Sequence, residues 1–205
     1  MEYNVTNLDS LYDALGEKKL QEILNDFECS KNMEVKKFLK EKAIPLSKQG
    51  ISKTYIITTS VEENNIIVGY FSIANKMTKI KKNFFGGKTR RRFERFERFA
   101  EIEENTNTYF AYLPLIGQLG KNFYNNYNEY ITGDIILHLA CKQVCEVQKM
   151  IGGRFVFLEC EDIPKLKDFY ESNGFMCYSK RELDKYENKN NVRYLLQMIC
   201  DLSNF

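Results

Sequence analysis

The residues best placed to do chemistry fall in a few short runs. In KLKDFYESNGF (165–175), Tyr170 comes late in a helical pattern, four residues before Gly174. Its phenol is either one more core aromatic beside Phe169 or, at a cleft, an acid for a leaving thiolate, because thiols and phenols have comparable acidity. A second run joins an apolar strand (109–120) through the polar loop FYNNYNEYITG (123–133) to a helix beginning at Gly133. A helix N-terminus offers unpaired N–H groups and the positive end of its dipole, which suits a pyrophosphate. Taken alone, the loop also reads as ordinary surface.

The third run is charged. Residues 76–98 hold ten Lys or Arg and two Glu, a local charge of +8 in a chain whose total is +2, so the rest carries −6. In KIKKNFFGGKTRRRFERFERF (79–99) Phe alternates with Arg, a pattern that suits phosphate contacts and base stacking by RNA or another polyanion. It suits equally a solvated amphipathic segment that lays Phe93, Phe96 and Phe99 on the domain, or a homodimer contact. His138, Cys141 and Cys145 share one helix at i, i+3 and i+7. Three ligands on one helix rarely converge on a metal, so they read as part of a satisfied core and no metal is expected. Cys160 has no histidine near it in sequence to activate it and reads as structural.

The elements that position these residues follow from periodicity. Residues 8–24 give two short helices broken at Gly16, and 33–44 a helix ending before Pro45. TYIITT (54–59) and IIVGYFSI (66–73) flank a polar turn at 62–65, the pattern of a hairpin. Residues 76–98 read as an inserted, partly helical arm. Residues 133–151 form the clearest helix, started by Thr132 or Asp134 and ended by Gly152-Gly153. A strand at 154–160, a helix opened by Asp162 and stopped by Gly174, and strands at 175–179 and 192–202 complete the order. Strands alternating with helices imply an α/β or α+β layer around a mixed sheet.

Composition bounds the rest. With 205 residues, 43% apolar and 28% charged, the chain fits one globular domain and excludes a disordered or fibrous protein. MEYNVTNLDS lacks the features of a targeting segment, and no apolar run reaches membrane-spanning length. Six cysteines without a paired framework fit reduced thiols, so a cytoplasmic location and no membrane are expected. One histidine argues against a histidine-based hydrolase.

In their order, GQLGKN (117–122), TGDIILHLA (132–140), RFVFLEC (154–160) and KLKDFYESNGF resemble the GNAT superfamily of N-acetyltransferases, closest to bacterial acetyltransferase toxins and phage-encoded relatives. The hairpin and the run FECSKNMEVKKFLKEKA (27–43) resemble earlier elements of that family. The resemblance implies a mixed, twisted sheet flanked by helices, as a single N-acetyltransferase domain over 1–205. It would carry a helical extension at 1–25 and a basic arm at 76–108. It implies acetyl-CoA as co-substrate and a primary amine as acceptor. Leu119, Gly120 and Lys121 would bind the acetyl carbonyl and pantetheine arm through the backbone. Thr132, Gly133 and Asp134 would hold the pyrophosphate, and Tyr170 would protonate the departing thiolate. Glu159 and Glu161 are candidates for a base acting through water. The family's Q/R-x-x-G-x-G/A loop is not reproduced: with Gly133 in its last small position, Asn128 stands at the Gln/Arg place and Glu129 and Ile131 where glycines are expected. Asp134 would repel a pyrophosphate unless it points away. The alternatives are a nucleic-acid-binding protein with a vestigial acyl-CoA site, or a toxin-type enzyme that grips aminoacyl-tRNA with its arm.

Overall fold

The computed structural model describes residues 1–183, 194–203 and 205. Its contacts cluster in two units, Met1–Ala74 with Ile116–Gln143, and Asn75–Leu115 with Val144–Phe205. The strands follow the order β1-β2-β3-β5-β6-β8-β7 in one mixed sheet, with β4 on β5, and six α-helices complete an α+β fold.

The first unit opens with β1 (Asn4–Asn7), α1 (Leu8–Leu15) and α2 (Glu17–Asn25). Asn7 caps α1 by accepting from the Asp9 N–H at 2.8 Å, and Gly16 turns the chain at φ 76°. Residues 1–25 are more than an extension. β1 pairs antiparallel with β2 (Ser52–Val61), and Leu8, Leu20 and Leu24 are core residues beside Phe27, Leu39 and Tyr70. The next helix does not stop before Pro45. It runs as α3 (Met33–Lys37), a π turn (Phe38–Lys42) and α4 (Ala43–Lys48). Proline has no N–H to donate to the carbonyl four residues back. The π turn, in which the Ala43 N–H reaches Phe38 O, spaces the ladder so that the helix carries Pro45 inside it.

The expected hairpin is present. Glu62 and Glu63 both take positive φ (48° and 65°), as a tight hairpin turn requires. Its second strand, β3 (Asn64–Lys81), is longer than the sequence pattern indicated, so residues 76–81 are strand and the arm begins only at Lys82. The β2–β3 register pairs Ile57 with Gly69 and Thr58 with Ile67, which leaves Val68 as an extra residue, a β-bulge.

In the second unit, the arm is built of short 3₁₀ turns (82–85, 87–89, 96–99) rather than a continuous helix. It leads to β4 (Glu101–Glu103), paired with β5 (Thr108–Lys121). Phe93 and Phe96 are buried with Ile80, Leu113, Phe155, Phe157 and Ile199, so their three-residue spacing did mark a packed face; Phe99 stays partly exposed. Helix α5 (Gly133–Ile151) ends at Gly152, whose φ is 81°. β6 (Phe155–Glu161) pairs with β8 (Tyr194–Asp201), which pairs with β7 (Met176–Glu182). Helix α6 (Pro164–Ser172) starts with proline in its first turn, but its N-cap is Ile163. Asp162 instead reaches Lys180 at 2.5 Å. Residues 184–193, including most of the charged turn before β8, lie outside the described residues. No helix among the described residues is long and apolar enough to cross a membrane.

Candidate functional site

In the first unit, the end of β5 is locked by a residue that sequence reasoning did not single out. Asn122 is 2% exposed, and its side chain meets three backbone groups. Its Nδ2 donates to Ile67 O at 2.8 Å, and its Oδ1 accepts from the Glu28 and Tyr124 N–H groups at 2.9 and 3.0 Å. Its own N–H reaches Val68 O at 2.9 Å, and the Phe123 N–H reaches Glu28 O. Both carbonyls it uses on β3 belong to the bulge. The only sequence signal was an asparagine directly after an apolar strand, a residue able to satisfy backbone groups where a ladder ends.

Gly120, assigned to the acetyl site, has a packing reason to be glycine. A β-carbon there would lie 2.6 Å from Val35 Cγ1 and 2.7 Å from Tyr70 Cε1. The Tyr70 hydroxyl is buried, donates to Val35 O at 2.6 Å, and is held protonated by desolvation. Leu119 and Lys121 flank Gly120 and are half-buried. Burial, together with repulsion from Lys31, lowers the Lys121 pKa from the usual lysine value. Lys31 itself sits over the Phe123 ring at 5.2 Å.

The loop to α5 is a shaped turn. Residues 124–130 coil as 3₁₀ segments, with Asn125 and Asn126 left-handed at φ 45° and 60°. Asparagine tolerates that conformation better than most residues, which accounts for the pair here. Tyr3 Oη donates to Tyr130 O at 2.7 Å and ties the loop to the N-terminus. Thr132 is the residue that caps α5: its Oγ1 accepts the Ile135 N–H at 3.2 Å and its carbonyl accepts from Ile136. Thr132 and Asp134 are exposed and Gly133 is half-buried, so the first turn of a 19-residue helix opens on solvent.

In the second unit, Tyr170 is half-buried on α6. Its ring meets Phe169 edge-on at 4.9 Å and Phe175 at 6.1 Å. The Phe175 N–H donates to Tyr170 O, and Gly174, at φ 91°, allows the chain to turn between them. Among the described residues the Tyr170 hydroxyl makes no hydrogen bond. Burial, followed by the neighbouring Cys160, raises its pKa well above that of an ordinary phenol, so it keeps its proton at neutral pH. Cys160 is also pushed up, to about 12, by burial and by Cys177 nearby, and its Sγ lies 3.8 Å from Met198 Sδ. A thiol held protonated is a poor nucleophile, in line with a structural role.

Glu159 does not have the freedom of a base. Arg181 clamps it with Nε at 2.9 Å and Nη2 at 2.8 Å, and Gln197 Nε2 adds a bond at 2.8 Å. Burial opposes its charge, but these donors win and its pKa falls below the usual carboxylate value. The core reading also fails for His138, which is exposed while Cys141 behind it is buried. All six cysteines are free thiols, and no cluster that would hold a metal occurs among the described residues.

The remaining constellation is the arm. A cavity of about 1030 Å³ is lined by Lys82, Arg90, Arg91, Arg95, Arg98, Glu94, Glu97, Phe85, Tyr109 and the Gly86-Gly87 backbone, among others.

No protein-family model matches the chain, and no curated protein sequence does. Solved structures do. The chain is similar to AtaT complexed with acetyl-methionyl-tRNAfMet (14% identity, TM-score 0.59, 95% of this chain and 94% of that one). It is similar to a tyrosine-to-phenylalanine mutant of KacT (15%, 0.58, 96% and 94%) and to AtaTR bound with acetyl-CoA (16%, 0.54, 98% and 94%). At these identities the likeness establishes the fold alone, the one seen in AtaT and KacT.

Proposed function

We propose that the protein transfers an acetyl group from acetyl-CoA to a primary amine by direct attack. The observation that carries this reading is Tyr170: a half-buried phenol, protonated and with no hydrogen bond from its hydroxyl among the described residues, in the FYESNGF run. Two neighbours of the same fold add support, AtaTR with acetyl-CoA bound and KacT carrying a tyrosine-to-phenylalanine change. In this reading the backbone at Leu119, Gly120 and Lys121 orients the acetyl carbonyl and pantetheine arm. The rigidity that Asn122 and the packed Gly120 give the strand end keeps that orientation fixed. The first turn of α5 at Thr132, Gly133 and Asp134 faces the pyrophosphate. Thr132 Oγ1 already accepts from Ile135, which leaves the hydroxyl hydrogen free to donate to a phosphate oxygen. The amine attacks the thioester carbon, the C–S bond breaks, and the Tyr170 O–H donates its proton to the departing thiolate; the proton shed by the amine nitrogen passes to solvent, from which the phenol is reprotonated. The clamped Glu159 is not the base that deprotonates the amine.

A second reading specifies the acceptor as the amine of an aminoacyl-tRNA. It is favoured by the acetyl-methionyl-tRNA held by AtaT and by the basic arm. Calorimetric titration with acetyl-CoA and with CoA tests the co-substrate; binding to neither would overturn the reading. Release of CoA in the presence of small amines, peptides and aminoacyl-tRNA tests the acceptor. Tyr170→Phe should lower kcat about 10²–10⁴-fold with little change in the KM for acetyl-CoA. Near-wild-type turnover would make Tyr170 a packing residue.

A further inference from the structure

Much of the arm's charge is unpaired among the described residues. Lys82, Arg90, Arg91, Arg95 and Arg98 line its cavity, and the four arginines are exposed. None of the five makes an ion pair among the described residues, although Glu94 and Glu97 share the cavity wall. Arginines elsewhere in the same unit behave differently. Arg181 and Arg154 each grip a carboxylate with two nitrogens, and even within the arm Arg92, which does not line the cavity, donates to Gly174 O. Self-repulsion among unpaired guanidinium groups is a standing cost that an external anion removes.

The backing of the cavity is fixed. Phe85 stacks on Phe96 at 4.6 Å and meets Tyr109 edge-on at 5.6 Å, while Phe96 packs on Phe155 at 5.0 Å. Phe96 is fully buried; Phe85 and Tyr109 stay half-buried and form part of the lining. The cations are therefore mounted on a packed aromatic base. Two glycines, one with φ 57°, bring bare backbone to the same wall.

We propose that this cavity is a binding site for a single-stranded nucleic acid segment. Its arginines would take successive phosphates, and Tyr109 and Phe85 would meet the base. The shape selects the single strand. A concave space at the upper end of the about 300–1,000 Å³ usual for ligand pockets admits one or two splayed nucleotides, whereas a duplex presents a convex, stiff row of phosphates. Aromatic contact tolerates any base, so recognition would follow backbone charge and strand flexibility rather than sequence. The inference does not depend on the acetyl-transfer reading. A protein that binds the strand but not acetyl-CoA would refute that reading and leave this one intact.

The test is fluorescence anisotropy with labelled 20-nucleotide single strands of RNA and of DNA and with an RNA duplex of equal length, over a salt series. A quadruple variant (R90Q, R91Q, R95Q, R98Q) is set against a charge-matched control on the first unit (K18Q, K19Q, K37Q, K42Q), all exposed lysines. Single strands release about 0.7 counterion per neutralised phosphate, so the arm variant should flatten the log–log salt slope by about 3 and weaken binding about 10²-fold or more near 0.1 M salt. The control should stay within about threefold of wild type. Matching melting temperatures verify that both variants fold; if the quadruple does not, the pair R90Q/R91Q should still lose about half the slope change. Equal losses in arm variant and control would mean diffuse attraction and overturn the proposal. Duplex binding as tight as single-strand binding would overturn the single-strand assignment. No wild-type binding to any probe, with a dimer that the arm variant dissolves, would make the arm a homodimer contact. RNA and DNA binding alike would identify the backbone as the shared ligand; preference for RNA would point to the 2′-hydroxyl as well.

Discussion

The end of β5 and the arm both carry many polar groups, yet they use them in opposite ways. At β5, Asn122 places every side-chain bond on a backbone group of its own unit, and Gly120 leaves no room for one more carbon. In the arm, Phe93 and Phe96 are buried in a core cluster, but Lys82, Arg90, Arg91, Arg95 and Arg98 make no ion pair among the described residues. The difference separates two kinds of functional surface. One holds its own backbone still so that N–H groups keep their aim. The other keeps charge in reserve and makes rigid only the platform beneath it. A buried polar group must find a partner within the fold, whereas an exposed one can wait for a partner from outside.

If that division is right, truncating the arm's inward face should be the most damaging change. Phe96→Ala removes a buried ring in contact with Phe85, Tyr109 and Phe155, and should cost about 3–5 kcal/mol in a denaturant titration. A cost below 1 kcal/mol would mean that the arm is a loosely held appendage. Asn122→Ala should come next, at about 2–4 kcal/mol, because it orphans the Ile67 carbonyl and two N–H groups. It should also weaken acetyl-CoA binding even where the protein stays folded; unchanged affinity would dissociate the lock from the co-substrate.

Acid should reveal the paired charges and spare the unpaired ones. Arg154 grips Asp201 through Nε at 2.7 Å, and although burial opposes the Asp201 charge, these bonds hold its pKa below the usual carboxylate value. A carboxylate depressed in the folded state contributes stability in full above its unfolded pKa of about 4, and loses it as pH falls through the folded value. The melting temperature should therefore be flat near neutrality and drop below about pH 4. Asp201→Asn should melt lower at pH 7 with a shallower acid slope, and an identical slope would remove Asp201 as a contributor. The smallest effect belongs to the arm's surface: R90Q, R91Q, R95Q and R98Q should each change stability by no more than about 0.5 kcal/mol. A loss above 1 kcal/mol for any of them would expose an internal role and weaken the contrast.

Much of this was legible in the chain. Period and punctuation located α1, α2, the hairpin, α5 and β6, because each buries one continuous face and ends at a glycine or a turn. The run FYESNGF and the strand-to-helix order carried the resemblance to acetyltransferases, and the fold agrees. The three-residue spacing of Phe93 and Phe96 marked buried positions. Local pattern could not carry the reading past Pro45, because the π turn that accommodates the ring depends on ladder geometry rather than on residue type. Nor could it foresee that β3 would absorb residues 76–81, since lysines at every second or third place read as an arm until a neighbouring strand claims the positions between them.

What the sequence by itself determined was composition, charge and order: a +8 segment inside an otherwise acidic chain, a phenol before a glycine turn, a helix opening on Thr-Gly-Asp. Only the tertiary structure decided which of those charges were already used. Glu159 looked free and is clamped by Arg181 and Gln197 from other strands; four of the arm's five arginines are gathered around one cavity. Asn122, the last residue of GQLGKN, drew no assignment from the sequence and holds three backbone groups. The reason is the same each time. A residue's type fixes what it can bond to, but its partners stand 22, 38 or 94 positions away, and only the folded chain brings them within hydrogen-bond reach.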